Sequence, residues 1–439
     1  MDGEKQNNGF CDISFAEKVR FYSYDYLKCF LYLVDCDSTE NVFTKSLYSK
    51  LITSSHLLED FLDFHGAKNN SNWYFYRELA ATVRHISMGG YAQNHIVNRS
   101  IFYDIHDKEN FSENGEVTLA FMTNSLMKLA PAIIEEARRL NIEIPKKGFK
   151  AGHFPGITTG EMLEQDFEDE QKDRYSKHIV RVANEFISIA EDFDAFEFVE
   201  VYDQEELKTL VPDRVNEVEI RRFEMRVHNL QSTFDSYVIH GGFLFGNRNL
   251  KQFRSYFSVI YHLLQVMGRL LHFYERHMTD IGYKYIYTKA REQLDRLVDP
   301  DVLLDCTINY GLYYVNHFFS YGKEVAREIL QDNIERSSIT VGIPRDLGFH
   351  CRPSLMVAKI VQNYGGEVKL IAGGDQFDAS SVLDIQWAGG KIQKENIQQV
   401  EFQGDTRALK DIETLASVNY GEDQMGKGLP LPKSLQYLR

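Results

Sequence analysis

In the segment DLGFHCRPSLMVAKIV (346–361), a histidine, an arginine and a proline meet at the start of an apolar-periodic run. Pro353 has its φ fixed near the helical value and no N–H to lose, so it belongs in a first helical turn. Leu355, Met356, Val357, Ala358, Ile360 and Val361 supply one apolar face over about three turns. The spacing predicts that His350 stands at a helix N-terminus, where free backbone N–H groups and the positive end of the dipole favour an anion. Arg352 adds a permanent charge and a planar donor fork suited to phosphate. An imidazole is largely neutral near pH 7 and has a ring nitrogen to offer as nucleophile. Beside an anion site, it is arranged to carry a phosphoryl group.

No other part of the chain makes so direct a chemical statement. The remaining histidines form no HExxH or other familiar ligand spacing, so no metal is expected. His85 and His95 are ten residues apart, which puts them on different faces of one helix, and His262 and His272 repeat that spacing. Gln265 and Arg269 suggest that the second pair lies on a wet face, and ordinary core or surface roles are expected for all four. The stretch HGGFLFG (240–246) has the look of an esterase oxyanion loop, but no GxSxG supplies a nucleophile. Glycines 148, 152, 156 and 160 lie near Lys146, Lys147 and Lys150 without the GK[ST] of a phosphate-binding P-loop. A linker is expected there, with Thr158 and Glu161 as a helix capping box. The five cysteines are odd in number and form no CxxC pair, so neither a disulfide framework nor structural zinc is expected. Cys351 is read as a bystander.

The elements that must position His350 follow from hydrophobic period. Up to about Arg336 nearly everything reads as helix, clearest at 253–274, where Phe253, Phe257, Ile260, Leu264, Met267, Leu271 and Tyr274 alternate spacings of four and three. Residues 75–105 behave similarly, and further helices are expected near 13–36, 41–64, 114–141, 160–193, 204–238 and 286–334. Pro212 and Pro300 interrupt the last two. The Gly/Pro-rich stretch 145–160 leaves two arrangements open: two bundles, 1–145 and 158–336, or one eight-helix domain. FEFVEVYD (196–203) is the exception, because it alternates as a strand would.

After Arg336 the period changes from 3.6 to 2. Ile339, Val341 and Ile343 alternate with Thr340 and Gly342, and the His350 helix follows. Next come EVKLIA, a GGD turn, QFDA, a short helix opening at Ser380 or Ser381, the alternating QQVEFQG, and a last helix carrying Leu409, Ile412 and Leu415. The order is βαββαβα. The expected fold is therefore multidomain: a large all-α region over 1–336, an α+β domain over 337–421, and a tail over 422–439.

The α+β segment resembles HPr, the histidine-containing phosphocarrier of the bacterial sugar phosphotransferase system. LGFHCRPS is similar to the family's Gly-Leu-His-x-Arg-Pro-Ala signature, and ASSVLDIQWAGG is similar to its helix bearing a regulatory serine. The resemblance implies an open-faced β-sandwich, a four-stranded antiparallel sheet covered by three helices. It also implies a phosphoryl carrier, not a turnover enzyme, with His350 as phosphoacceptor, Arg352 as phosphate partner and Ser381 as a regulatory site. Phe349, Val382 and Leu383 would be apolar docking residues. The implied partners are an enzyme I-type phosphoryl donor, charged from phosphoenolpyruvate, and a sugar-specific phosphoacceptor or regulatory target. No cofactor is implied.

Composition narrows the setting. Apolar residues at 43% and charged residues at 26% are ordinary for a globular chain, and 30 Phe with 25 Tyr allow large cores. A formal net charge of −15 with no basic stripe speaks against nucleic-acid binding. No run of about 18 apolar residues is uninterrupted, so no membrane span is expected. MDGEKQNNGF lacks the features of a secretory leader. A cytoplasmic protein is expected. Two functions stand: a phosphocarrier or phosphorylation-dependent regulator with the helical region as effector, or a helical enzyme or ligand sensor gated by a docking-only HPr-like domain.

Overall fold

The computed structural model describes residues 13–156, 175–196, 201–239, 248–279, 285–333, 335–345, 347–364, 368–423 and 428–438. The helices before the sheet are α1 Phe15–Val34, α2 Lys45–Phe64, α3 Tyr74–Arg99, α4 Lys108–Arg139, α5 Tyr175–Phe193, α6 Gln204–Leu210, α7 Glu217–Phe234, α8 Arg248–Phe273, α9 Tyr285–Leu297, α10 Pro300–Asp305 and α11 Tyr313–Asn333. Among the described residues no strand precedes Arg336. Within FEFVEVYD, Phe196 ends a 3-10 turn, Val201 to Asp203 form no strand, and 197–200 lie outside the described residues, as do HGGFLFG and the capping box at Thr158.

Boundaries depart from the expected ones where local chemistry overrides the pattern. α4 begins at Lys108, six residues before the start expected near 114, after Asp107 turns left-handed (φ 55°). Gly115 sits inside it because a Cβ there would crowd the Gln93 amide and the Tyr310 hydroxyl, at 3.1 and 3.2 Å. The segment 204–238 divides into α6 and α7, and 286–334 into α9, α10 and α11. Asp299 caps α10, with Pro300 in its first turn. By length and composition, α4 is apolar enough to cross a membrane, with half of that window buried inside the protein.

The chain clusters into two compact units. The first, 1–166, 192–228 and 255–320, is helical and built on buried aromatics, among them Tyr26, Tyr48, Tyr76, Phe111 and Phe257. It also buries charge. Arg77 donates to Glu59, Asp63 and Glu78 at 2.8 to 3.0 Å. Breaking such a network strands a buried charge, at a cost of about 3–5 kcal/mol.

The second unit, 167–191, 229–254 and 321–439, carries the sheet. Its strands are β1 Arg336–Gly342, β2 Val368–Ala372, β3 Asp375–Asp378 and β4 Gln399–Asp405, and the helices that alternate with them are α12 Cys351–Tyr364, α13 Val382–Glu395 and α14 Thr406–Ser417. The sheet is antiparallel in the order β1-β4-β2-β3. The register aligns Ile339, Phe402, Leu370 and Phe377 across all four strands. In the next row Thr340, Glu401, Ile371 and Gln376 point to the other face, as the two-residue period requires. Phe402 and Leu370 are fully buried with Val357, Ile360, Ile385, Ile392, Leu409 and Ile412 of the three helices. At about 1.5–3 kcal/mol for each large side chain, this one-sided core holds the layer together. The chain after α14 does not dangle: Leu435 and Leu438 are buried in the same core.

Candidate functional site

Backbone geometry aims His350 outward. Gly348 is left-handed (φ 60°), a conformation glycine adopts without steric cost, and His350 N–H turns back to Gly348 C=O at 2.9 Å. Ser354 N–H then donates to His350 C=O at 3.1 Å, the first bond of α12, so His350 occupies the N-cap position. The first-turn N–H groups of Cys351 and Arg352 have no preceding helical carbonyl to bond, and Pro353 has none to satisfy. His350, Arg352 and the helix start therefore lie together as expected.

Phe349 does not. Its side chain points the other way, 3% exposed, with ring centroids 6.4 Å from Phe402 and 5.2 Å from Tyr420. It anchors the loop in the core and is not a docking residue. Packing is the reason: at the turn closed by His350 N–H and Gly348 C=O, the Phe349 ring leaves water against Phe402 and Tyr420. Gly389 of α13 lets that helix close on the loop, since a Cβ there would lie 3.0 Å from Phe349 C=O.

A residue far along the chain completes the site. Glu422 Oε2 lies 2.8 Å from His350 Nε2, and Oε1 lies 3.8 Å from Arg352 Nε. The Glu422 side chain is 4% exposed. Three successive left-handed residues deliver it: Asn419 (φ 50°), Tyr420 (φ 54°) and Gly421 (φ 77°). The two non-glycine residues cost about 1–2 kcal/mol each in that conformation. Burial offsets the cost, because Tyr420 is in the core and its hydroxyl, which burial keeps protonated, donates to Gly342 C=O at 2.9 Å. Asn419 accepts from Arg345 N–H at 2.9 Å and donates to Glu422 C=O at 3.1 Å.

The strap continues beyond Glu422. Gly428 pairs with Glu422, and a Cβ at Gly428 would collide with the Arg352 guanidinium. Further on, Asp411 Oδ2 accepts from Tyr364 at 2.7 Å and Tyr437 at 2.6 Å. Burial and the Asp411 charge push the Tyr364 phenol up to about 12, so it remains a donor.

A carboxylate on Nε2 has a chemical consequence. It accepts and cannot donate, so the neutral imidazole carries its proton on Nε2 and leaves the Nδ1 lone pair free. Attack through Nδ1 would place positive charge on a ring already hydrogen-bonded to an anion.

The second motif is partly as expected. Ser381 caps α13, its Oγ accepting from Asp384 N–H at 3.3 Å. Leu383 is 64% exposed and Trp387, one turn on, is 70% exposed. Val382 is only half-buried and packs on the edge of the core. The exposed apolar surface of α13 is thus Leu383 with Trp387, and the latter carried no sequence signal for docking.

Comparison with protein-family models, curated proteins and solved structures finds no match to this chain. Its chemistry must be read from its own residues, and the helical unit adds some. His85 and His95 of α3 pair with His272 and His262 of α8, each pair with ring centroids 4.2 Å apart. Two ten-residue spacings, about 15 Å each, run antiparallel and match. His85 is 2% exposed, and burial, then the charges of His272 and His277, hold it well below the usual histidine value. His95 is pushed down to about 4 by burial, then by His262 and Lys45. His277 joins the first pair, 5.7 Å from His85. His272 and His277 are five apart, a spacing that an α-helix would splay, but the turn Tyr274–Met278 is a π-helix and brings them to one side.

Proposed function

We propose that residues 337–421, with the strap that carries Glu422, form an HPr-like phosphocarrier domain. In this reading His350 accepts a phosphoryl group on Nδ1 from an enzyme I-type donor and passes it to a second protein. The observation that carries the proposal is the contact between Glu422 Oε2 and His350 Nε2 at the N-terminus of α12, with Arg352 beside it. Phosphoryl transfer asks a protein mainly for positioning and charge stabilisation. Glu422 fixes the tautomer, the Cys351 and Arg352 N–H groups face the incoming oxygens, and Arg352, exposed enough to swing, exchanges Glu422 for phosphate. Antiparallel order, three covering helices and both sequence motifs support the HPr likeness.

Leu383 and Trp387 are the proposed docking surface for donor and acceptor, in the cytoplasm where phosphoenolpyruvate is the phosphoryl source. Ser381 is the proposed regulatory position: a phosphate there would add negative charge and bulk beside that surface. The helical region is the proposed effector. The second reading, a helical unit with a ligand site of its own gated by the C-terminal domain, is favoured by one observation, the buried histidine cluster of that unit.

The test is incubation of the full chain with phosphoenolpyruvate and a purified enzyme I. An acid-labile, base-stable phosphate that is absent in His350→Ala is expected. No label in the wild type, or label that persists in His350→Ala, overturns the proposal.

A further inference from the structure

Three imidazoles converge in the interior of the helical unit. His85 comes from α3, His272 from the last turn of α8, and His277 from the π turn that follows. One ring nitrogen from each lies within 4.8 Å of the others. Two of the rings are oriented by carboxylates: His272 Nδ1 meets Glu217 Oε2 at 2.8 Å, and His277 Nδ1 meets Glu78 Oε2 at 2.7 Å. Each carboxylate takes an Nδ1–H, which leaves an Nε2 lone pair without a proton. This carboxylate–histidine arrangement is how proteins orient imidazole ligands around a metal.

The third ring has the complementary feature. His85 Nδ1 is buried and has no hydrogen-bond partner, although the ring stacks on His272 and lies beside His277. Buried polar atoms are nearly always satisfied, so an orphan nitrogen on one ring of a histidine cluster asks for a partner. No nearby arginine supplies one; Arg269 adds positive charge there, and three others hold carboxylates. Arg77 holds Glu59, Asp63 and Glu78; Arg84 holds Glu59; Arg221 holds Glu217. Arg84 Nη2 also lies 3.1 Å from His85 Nε2. That contact uses an Nε2 lone pair, so when Nδ1 takes a ligand and the ring proton moves to Nε2, the Arg84 Nη2 must turn from the ring while its Nε keeps Glu59.

We propose that His85, His272 and His277 form a three-histidine site for a first-row divalent transition metal such as zinc, oriented by Glu217 and Glu78. Imidazole nitrogen suits zinc, copper, nickel and iron, and disfavours magnesium or calcium. Zn–N bonds of about 2.0–2.1 Å set tetrahedral nitrogens about 3.4 Å apart, within reach of modest ring rotations from the present spacing. Three protein ligands leave a fourth position for water or a ligand, the pattern of reactive rather than closed structural sites. This site is independent of His350, and either proposal can fail without the other.

The experiment is to strip the full-length protein with a chelator, equilibrate it with zinc alone, dialyse, and measure metal per chain. One tightly held equivalent and an upward shift in thermal midpoint are expected. His85→Ala and His272→Ala should each reduce bound zinc to background, while His262→Ala should retain the full equivalent. Cobalt in place of zinc should give the absorption of a tetrahedral nitrogen-ligated ion in the wild type, a readout that does not depend on how the variants fold. Wild-type protein that keeps no zinc, cobalt without nitrogen ligation, or full zinc in folded His85→Ala and His272→Ala overturns the proposal.

Discussion

Glu422 and His350 are 72 residues apart in the chain and 2.8 Å apart in the structure. The carboxylate that closes on Nε2 belongs to a strap held down by Tyr420, Leu435 and Leu438, so the site depends on the part of the chain that reads as a tail.

The relationship has two opposite potential effects, since Glu422 orients His350 but also approaches Arg352. Orientation is expected to dominate, because Glu422 contacts His350 directly at 2.8 Å but lies 3.8 Å from Arg352. A charge-assisted hydrogen bond is worth about 1.5–3 kcal/mol. Glu422→Ala should therefore slow phosphorylation of His350 by about 10- to 100-fold, measured as the initial rate of label uptake. A faster rate in the variant would make the strap an inhibitor.

Trp387 and Leu383 present an exposed apolar surface one helical turn apart. Aromatic anchors of this kind carry a large share of interface energy, often about 2 kcal/mol or more. Trp387→Ala should raise the KM for the enzyme I-type donor by about 10-fold or more and leave the melting temperature unchanged. An unaltered KM would remove α13 from the docking surface.

Leu435 is fully buried in the sandwich core. Leu435→Ala should cost about 2–4 kcal/mol of stability by removing packed methyl groups and leaving a cavity. Urea unfolding followed by a probe in the C-terminal domain checks this. A loss below about 0.5 kcal/mol would mean that the strap is not part of the folded layer.

His95 makes the helical unit acid-sensitive. Its folded value is about 4, held down by burial and then by His262 and Lys45, against an unfolded value near 6.5. Because the neutral ring is the favoured native form, its contribution is present in full above pH 6.5. It is lost as the pH falls towards 4, where the unfolded chain binds a proton that the native ring refuses. The ring is only half-buried, so solvent screening reduces the effect to roughly 1–2 kcal/mol. Chemical unfolding at pH 7 and pH 4.5 should show a smaller acid loss in His95→Gln than in the wild type. Equal losses would contradict it.

Much of the C-terminal layer was legible in the sequence because two strong local signals agree there. The switch from period 3.6 to period 2 at Ile339 marks the first strand, and Pro353 and Ser381 mark two helix starts by their own backbone chemistry. What was not legible depends on contacts between distant residues. Glu422 sits in a polar stretch with no spacing relation to His350. The burial of Phe349 depends on Tyr420 and Phe402. His272 and His277 are brought together by a π turn that no apolar pattern announces, and their pairing with His85 needs α3 and α8 side by side.

The central claim is that Nδ1 of His350 is the nucleophile because Glu422 occupies Nε2. Nitrogen-15 NMR of histidine-labelled protein, before and after exposure to phosphoenolpyruvate and an enzyme I-type donor, tests it most directly. The expected result is a proton on Nε2 throughout, with phosphorus coupling appearing on Nδ1 of His350. Phosphorus on Nε2, or on neither nitrogen of His350, would contradict it.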